Sequence, residues 1–264
     1  MSACSLPDTQ NKMDTRQIVI DKVGIKDISH PITFIDRDGN KNPTIGNFTM
    51  TVTLPKHVKG THMSRFIEIL NDGPCEFNSG NFDKIIDKVR EKLESDTAHI
   101  TLEFPFFRKK KAPSSGVESL MDYQVTLYGI LNEGASEVMM KVVVPVTSLC
   151  PCSKSISKYG AHNQRSHITI KARVAKGKIL HLEDLIELAE QKASCELYAI
   201  LKRDDEKFVT ERAYDNPAFV EDLVREIALG LNVNENIEYY RLESENFESI
   251  HNHSAYALIE NDKC

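Results

Sequence analysis

The order of β-rich and helical stretches along this chain runs through once and then repeats. That repetition restricts the architecture more than any single motif does. In the first half, IVIDKVGI with HPITFI, and then GNFTMTVTL, are rich in β-branched and aromatic residues and are separated by an Asp38-Gly39 turn signal. A short helix is predicted over RFIEIL with Ser64 as N-cap, then a longer one with Phe82, Ile85, Ile86, Val89 and Leu93 on one stripe. HITLEFPFF and DYQVTLYGIL read as strands. After a turn at Asn132 to Ala135 the order returns, with SEVMMKVVVPV pairing with RSHITIKARV. One helix carries Leu182, Leu185, Ile186, Ala189, Ala193, Leu197 and Leu201. A second begins at Asn216-Pro217, with proline at its first position, and runs to Leu231. NIEYYRLESENF and SAYALIE close the chain as strands. Two ββααββ units imply an α+β protein whose antiparallel sheets carry helices on one face. The units are expected over 16–133 and 134–264, behind a loose arm at 1–15. Sheets of this kind have open edges, which edge-to-edge joining removes, so a homo-oligomeric barrel with sites at subunit seams is expected.

Composition excludes several classes. The formal charge of −6 and pI near 5.9 leave no basic face for general nucleic-acid binding. No apolar run reaches the ~20 residues of a membrane helix. The N-terminal residues lack the basic-then-apolar layout of a secretory signal, so a cytoplasmic protein is expected. The six cysteines have no framework-like spacing and read as thiols.

Four segments carry chemistry. In SLCPCSKSISKYGAHNQRSH, Cys150, Cys152, His162 and His167 fall within eighteen residues. Thiolate and imidazole hold a borderline-soft metal, and they also make a nucleophile with its base. The C-x-C spacing is too tight for both sulfurs to share a metal in the usual loop, which favours one thiolate as ligand and one as neighbour. In ENFESIHNHSAY, Glu245, Glu248, His251 and His253 offer general acids and bases, and alternation sets His251 and His253 on one side. Lys202 to Arg212 is a charge run, mostly a solvated one, followed by Glu221 at the border of an apolar stripe. KGTHMSRF, with Lys59, His62, Ser64 and Arg65, is a cation-bearing loop entering a helix, suited to phosphate. It is not a P-loop, and no G-x-G-x-x-G fingerprint occurs.

Taken together, KGTHMSRF, VPVTSLCPCSKSISKYGAHNQRSH, LKRDDEKFVTERAYDNP and ENFESIHNHSAY resemble GTP cyclohydrolase of type IB over nearly everything from Asp14 to Glu260. One position departs from the family pattern: Asp204 stands where proline is expected. The resemblance implies the tunnelling fold with two ββααββ units per chain. It implies conversion of GTP and water to 7,8-dihydroneopterin triphosphate and formate, for pterin, folate and deazapurine synthesis. It further implies Cys150, His162 and Glu206 as ligands of one divalent metal per subunit (zinc, manganese or iron). Glu221 would anchor guanine through its two parallel donors, and Lys59, His62, Ser64, Arg65 and His167 would complete the substrate site. Cys152 would be the second active-site thiol, with Glu248 and His251 as acid and base. GTP is the expected partner and a dimer or tetramer the expected assembly, with no nucleic acid and no membrane. Two other readings of the same residues are a cysteine-dependent nitrile reductase of the same fold and a structural-zinc interaction module.

Overall fold

A computed structural model describes residues 10, 12–132 and 134–263. The first half supplies β1 (Ile20–Ile35), β2 (Lys41–Leu54), α1 (Met63–Asn71), β3 (Glu76–Phe77), α2 (Asp83–Leu93), β4 (Thr97–Lys111) and β5 (Glu118–Asn132). The second supplies β6 (Ala135–Leu149), α3 (Pro151–Ile156), β7 (Asn163–Val174), α4 (Leu182–Lys192), β8 (Cys195–Glu196), α5 (Arg203–Asp215), α6 (Val220–Val233), β9 (Ile237–Asn246) and β10 (Ala255–Asp262). Among these residues the strands join in one sheet ordered β10-β9-β7-β6-β5-β4-β2-β1-β3, with β8 beside β6. Each half lays its four long strands side by side in chain order, and the halves meet where β5 pairs with β6. All the long pairs are antiparallel. The short strands occupy matching places, β3 against the first strand of its half and β8 against the first strand of the other. The expected α+β class and doubled strand order are both present.

Alternation along the strands divides the sheet into two faces. Phe48, Met50, Leu102, Phe104, Val125, Leu127, Val142, Val144, Ile168, Ile170 and Leu242 are buried under the helices. The alternate positions, such as Thr49, Glu103, Gln124, Lys141, Lys171 and Arg241, form a polar face that is half-buried or exposed. Helix α2 lies close on β5 because Gly129 has no side chain there. A Cβ at Gly129 would stand 2.7 Å from Ile86 Cδ1. Helix α4 is acidic along one side, and that side meets cations of the first half. Arg37 binds Asp184 at 2.7 Å and Glu187 at 3.0 Å, Arg108 also binds Glu187, and Lys110 binds Glu190 at 2.8 Å. Tyr123 donates its hydroxyl to the same Glu190 at 2.7 Å. The two halves are therefore sewn together by charge as well as by the shared sheet.

Several boundaries differ from the sequence reading. Helix α1 starts at Met63 behind His62, so Ser64 lies inside its first turn and is not the N-cap. Helix α4 stops at Lys192 and does not continue to Leu197 and Leu201. There Ser194 Oγ accepts the Leu149 N–H, and Cys195–Glu196 pair with β6, which draws the chain off the helical path. The run from Lys202 to Arg212 is a helix, α5. Helix α6 starts at Val220, leaving Pro217 in the link between α5 and α6. Of the loose arm expected at 1–15, residues 1–9 and 11 lie outside the described ones. Beyond them the Lys12 carbonyl accepts the Lys59 N–H at 3.2 Å and the Asp14 N–H donates to His57 O at 3.0 Å.

Candidate active site

Strand β6 ends at Leu149 and β7 begins opposite it at Asn163. One step further out, the Cys150 N–H donates to His162 O at 3.2 Å, so the ladder continues through this pair. The intervening chain, α3 and its following loop, returns Cys150 and His162 to facing positions across the sheet. Facing residues of an antiparallel pair hold their Cβ atoms about 4.5–5.5 Å apart, which suits two ligands of one ion. Cys150 also caps α3 in an extended conformation with Pro151 as first helical residue, so the strand passes into the helix without an intervening loop. Cys152 is exposed on that helix.

The imidazole of His162 is held on one side. Its Nδ1 stands 2.9 Å from Gln164 Oε1, 3.3 Å from Ser249 Oγ and 3.9 Å from Glu248 Oε2. The Gln164 amide in turn donates to Glu248 Oε1 at 3.4 Å. With its proton on Nδ1 and Gln164 as acceptor, His162 keeps the Nε2 lone pair for a ligand, the arrangement common to metal-binding histidines. Glu248 and His162 are both largely buried, with side chains 13% and 14% exposed. Glu248 thus sits beside His162, while His251 stacks on His253 at 5.1 Å on the following loop. Gln164 and Ser249 were not singled out in the sequence. The available signal was the two-residue step from His162 to Gln164, which places both on one side of an extended chain.

Glu206 and Glu221 both lie exposed in the first turns of α5 and α6. The chain between these helices returns to the site, since the Ala218 N–H donates to Leu149 O at 3.2 Å. Next to Glu206, Asp205 is completely buried. Burial alone would push its carboxyl up. Hydrogen bonds from Ser115, Lys202 and Ser114 more than offset that and hold it well below the usual carboxylate range. His167 lies on the opposite face of β7 from Gln164, edge-on to Phe247 at 4.8 Å. Burial, helped by Arg165 and opposed by Glu245, lowers its pKa.

The expected phosphate group is elsewhere. His62, Ser64 and Arg65 line a cleft with Glu68, Glu91, Lys92 and Glu94, and Lys59 precedes it in the loop. Pairing runs Thr51 to His99 to Ile130 to Glu137, so the end of β2 that leads into this loop is level with the start of β6. Cys150 follows Glu137 by thirteen residues, roughly 40 Å of extended strand. Within one chain, the phosphate candidates and the Cys150–His162 pair occupy opposite ends of the sheet.

Among the described residues no three His, Cys, Asp or Glu side chains are grouped to hold a metal. The donor chemistry of the facing pair nevertheless fits one: a thiol and an imidazole with its far nitrogen already engaged.

Comparison with known proteins assigns the chain as a whole. Residues 6–257 match the family model described as type I GTP cyclohydrolase folE2. The chain is 82% identical to the GTP cyclohydrolase FolE2 of Ruthia magnifica subsp. Calyptogena magnifica over 100% of both chains. It is 56% identical to that of Nitrosococcus oceani, covering 98% of this chain and 96% of the relative. Among solved structures, uricase from Arthrobacter globiformis superposes with a TM-score of 0.51 at 8% identity, covering 91% of this chain and 92% of the other. At that identity the likeness carries the fold alone, which is the tunnelling fold expected from the sequence.

Proposed function

This chain belongs to the type I GTP cyclohydrolase FolE2 family and is a GTP cyclohydrolase of folate biosynthesis, and from that premise we propose which of its residues perform the reaction. The substrate is GTP, and the products are 7,8-dihydroneopterin triphosphate and formate. The family assignment sets aside the nitrile reductase and the structural-zinc module.

Cys150 and His162 would hold one divalent metal per subunit, with Glu206 as third ligand, and the chemistry such an ion would supply is Lewis acidity toward water near neutral pH. The protein does the rest. Gln164 and Glu248 keep the His162 ring in one tautomer and orientation. Glu221 accepts both N1–H and the 2-amino group of guanine, which turns C8 toward the water. Adenine lacks that donor pair, and a site left without its hydrogen-bond partner discriminates by ~10⁴-fold or more. His251 and Glu248 deliver a proton to N7 and move protons again during ring closure. Cys152 is the second thiol at the reacting end, and His167, on the other face of β7 from Gln164, meets the substrate from that face.

Lys59, His62, Ser64 and Arg65 take the triphosphate, and the separation of the two ends of the sheet supports their coming from a neighbouring subunit. The working enzyme is thus a homo-oligomer, a dimer or tetramer acting in the cytoplasm, with its sites at subunit seams. Zinc, manganese and iron all suit a mixed sulfur, nitrogen and oxygen donor set.

The observation that carries the residue assignment is the continuation of the β6–β7 ladder through Cys150 and His162. The test is to strip the metal, restore zinc, manganese or iron separately, add GTP, and measure formate and fluorescent oxidised pterin. Activity that survives Cys150→Ala with metal content unchanged would overturn the assignment.

A further inference from the structure

We propose that Asp205 is a positioning residue, fixing the helical turn that carries Glu206 by clamping α5 to the β4–β5 hairpin of the other half of the chain. The proposal rests on the reading of Glu206 as a metal ligand. Asp205 is 0% exposed, whereas Asp204, Glu206 and Lys207 around it are exposed. Its carboxylate is saturated. Oδ1 accepts the Ser114 and Ser115 N–H groups, each at 2.8 Å, while Oδ2 accepts the Ser115 hydroxyl at 2.6 Å and the Lys202 N–H at 2.8 Å. Four donors fill the lone-pair sites of a carboxylate. One of them belongs to the start of α5; the other three lie about ninety residues earlier in the chain, in the turn between β4 and β5.

The far end of α5 is tied to the same hairpin. Arg212 reaches Glu196 at 3.3 Å, and Glu196 reaches Lys110, near the end of β4, at 2.5 Å. Two further ties run to the Cys150 segment. Lys154 of α3 lies over the Tyr214 ring at 4.2 Å and donates to the Tyr214 carbonyl, and Ala218 bonds Leu149. The bond from the Lys202 N–H is the ordinary N3-to-N-cap bond of a helix start, but the three bonds from Ser114 and Ser115 go beyond what a cap needs. The helix is largely polar, buries only Asp205 and Ala213, and is fixed at both ends by directional bonds. Such bonds set where a turn stands more sharply than apolar packing does. The position beside Asp205 is then the one whose placement they fix best.

The experiment measures metal affinity of stripped protein by chelator competition with Mn²⁺, beside melting temperature, kcat and KM, for Asp205→Asn, Ser115→Ala, Glu206→Gln and the Asp205→Asn/Glu206→Gln double variant. Residues that orient a ligand typically contribute 10–100-fold in metal affinity. Asp205→Asn is expected to weaken Mn²⁺ binding by about tenfold or more and to lower kcat more than it changes KM. In the Glu206→Gln background the same substitution should have no further effect on affinity. Ser115→Ala removes one donor, leaves the backbone bonds in place, and should give a smaller loss in the same direction; it decides the matter if Asp205→Asn does not fold. A lowered melting temperature with wild-type affinity, or effects of Asp205→Asn and Glu206→Gln that simply add, would overturn the proposal. If Glu206→Gln itself leaves affinity unchanged, the ligand reading fails and the proposal with it. If Glu206→Gln weakens binding and neither Asp205→Asn nor Ser115→Ala does, only the proposal fails.

Discussion

Gln164 contacts His162 through the nitrogen that a metal would not use. Gln164→Leu removes this partner and frees the ring to turn, so metal affinity should drop by about 10–100-fold. Chelator competition reads this directly, and an unchanged affinity would count against the orienting role. His167 presents a different kind of residue effect. Its folded pKa is lowered by burial, with Arg165 adding to the effect and Glu245 opposing it. Below about 6.5, the ordinary histidine value, the unfolded chain binds a proton that the folded chain resists, so stability falls as pH drops. His167→Gln should flatten the decline of Tm between pH 7 and pH 5. A slope equal to that of the parent protein would exclude His167 as a contributor. That Cys150, His162 and Glu248 are candidates was legible from residue type and spacing. The contacts of Gln164 and Ser249 were not, because they depend on which strand end meets which loop.

Helices and strands differ in how far local pattern describes them. The stripe of Phe82, Ile85, Ile86, Val89 and Leu93 is buried as its spacing implied. It can be so because Gly129 leaves room for Ile86 on β5. Gly129→Val should overpack this contact and destabilise by about 1–3 kcal/mol, visible as a lower Tm with an unchanged oligomer. Lys110 tests the charged seam beside α4. It is 8% exposed between Glu190 and Glu196, and Lys110→Met would leave the buried Glu190 without its cation and Glu196 with Arg212 alone, at a cost of about 3–5 kcal/mol. Urea unfolding would measure this, and a change below 1 kcal/mol would show the pair to be replaceable. Helix α5 was read as a solvated charge run because most of it is exposed and its buried carboxylate binds Ser114 and Ser115, far away in sequence. Helix α4 was read too long for a related reason: apolar spacing continued past Lys192, but pairing of β8 with β6 took the chain first.

At the scale of the molecule, the two groups of candidate residues lie at opposite ends of the sheet, whose outermost long strands are β10 and β1, the latter flanked only by the two-residue β3. On the proposed reading, a chain arranged this way would complete its site by meeting a copy of itself. The protein in solution should have a mass that is a small multiple of 29.9 kDa. Co-expressing Cys150→Ala chains with Arg65→Ala chains should restore part of the formate release that each lacks alone, since a mixed seam contains one intact set. Mixed oligomers that form without regaining activity would place both sets on one chain. The fold was legible at this scale because a doubled strand and helix order admits few antiparallel arrangements.

Sequence by itself determined most of the element types, the buried faces and the family to which the chain belongs. Each of these depends on residue type and on spacing within a few turns or strand steps. Tertiary structure decided which groups face one another. It brought His162 opposite Cys150, Gln164 and Glu248 onto the His162 ring, and Ser114 and Ser115 onto Asp205. Hydrogen bonds between distant segments require register and strand order to be settled first. Their energies are comparable to those of the alternatives each segment has locally, so local pattern does not reveal them.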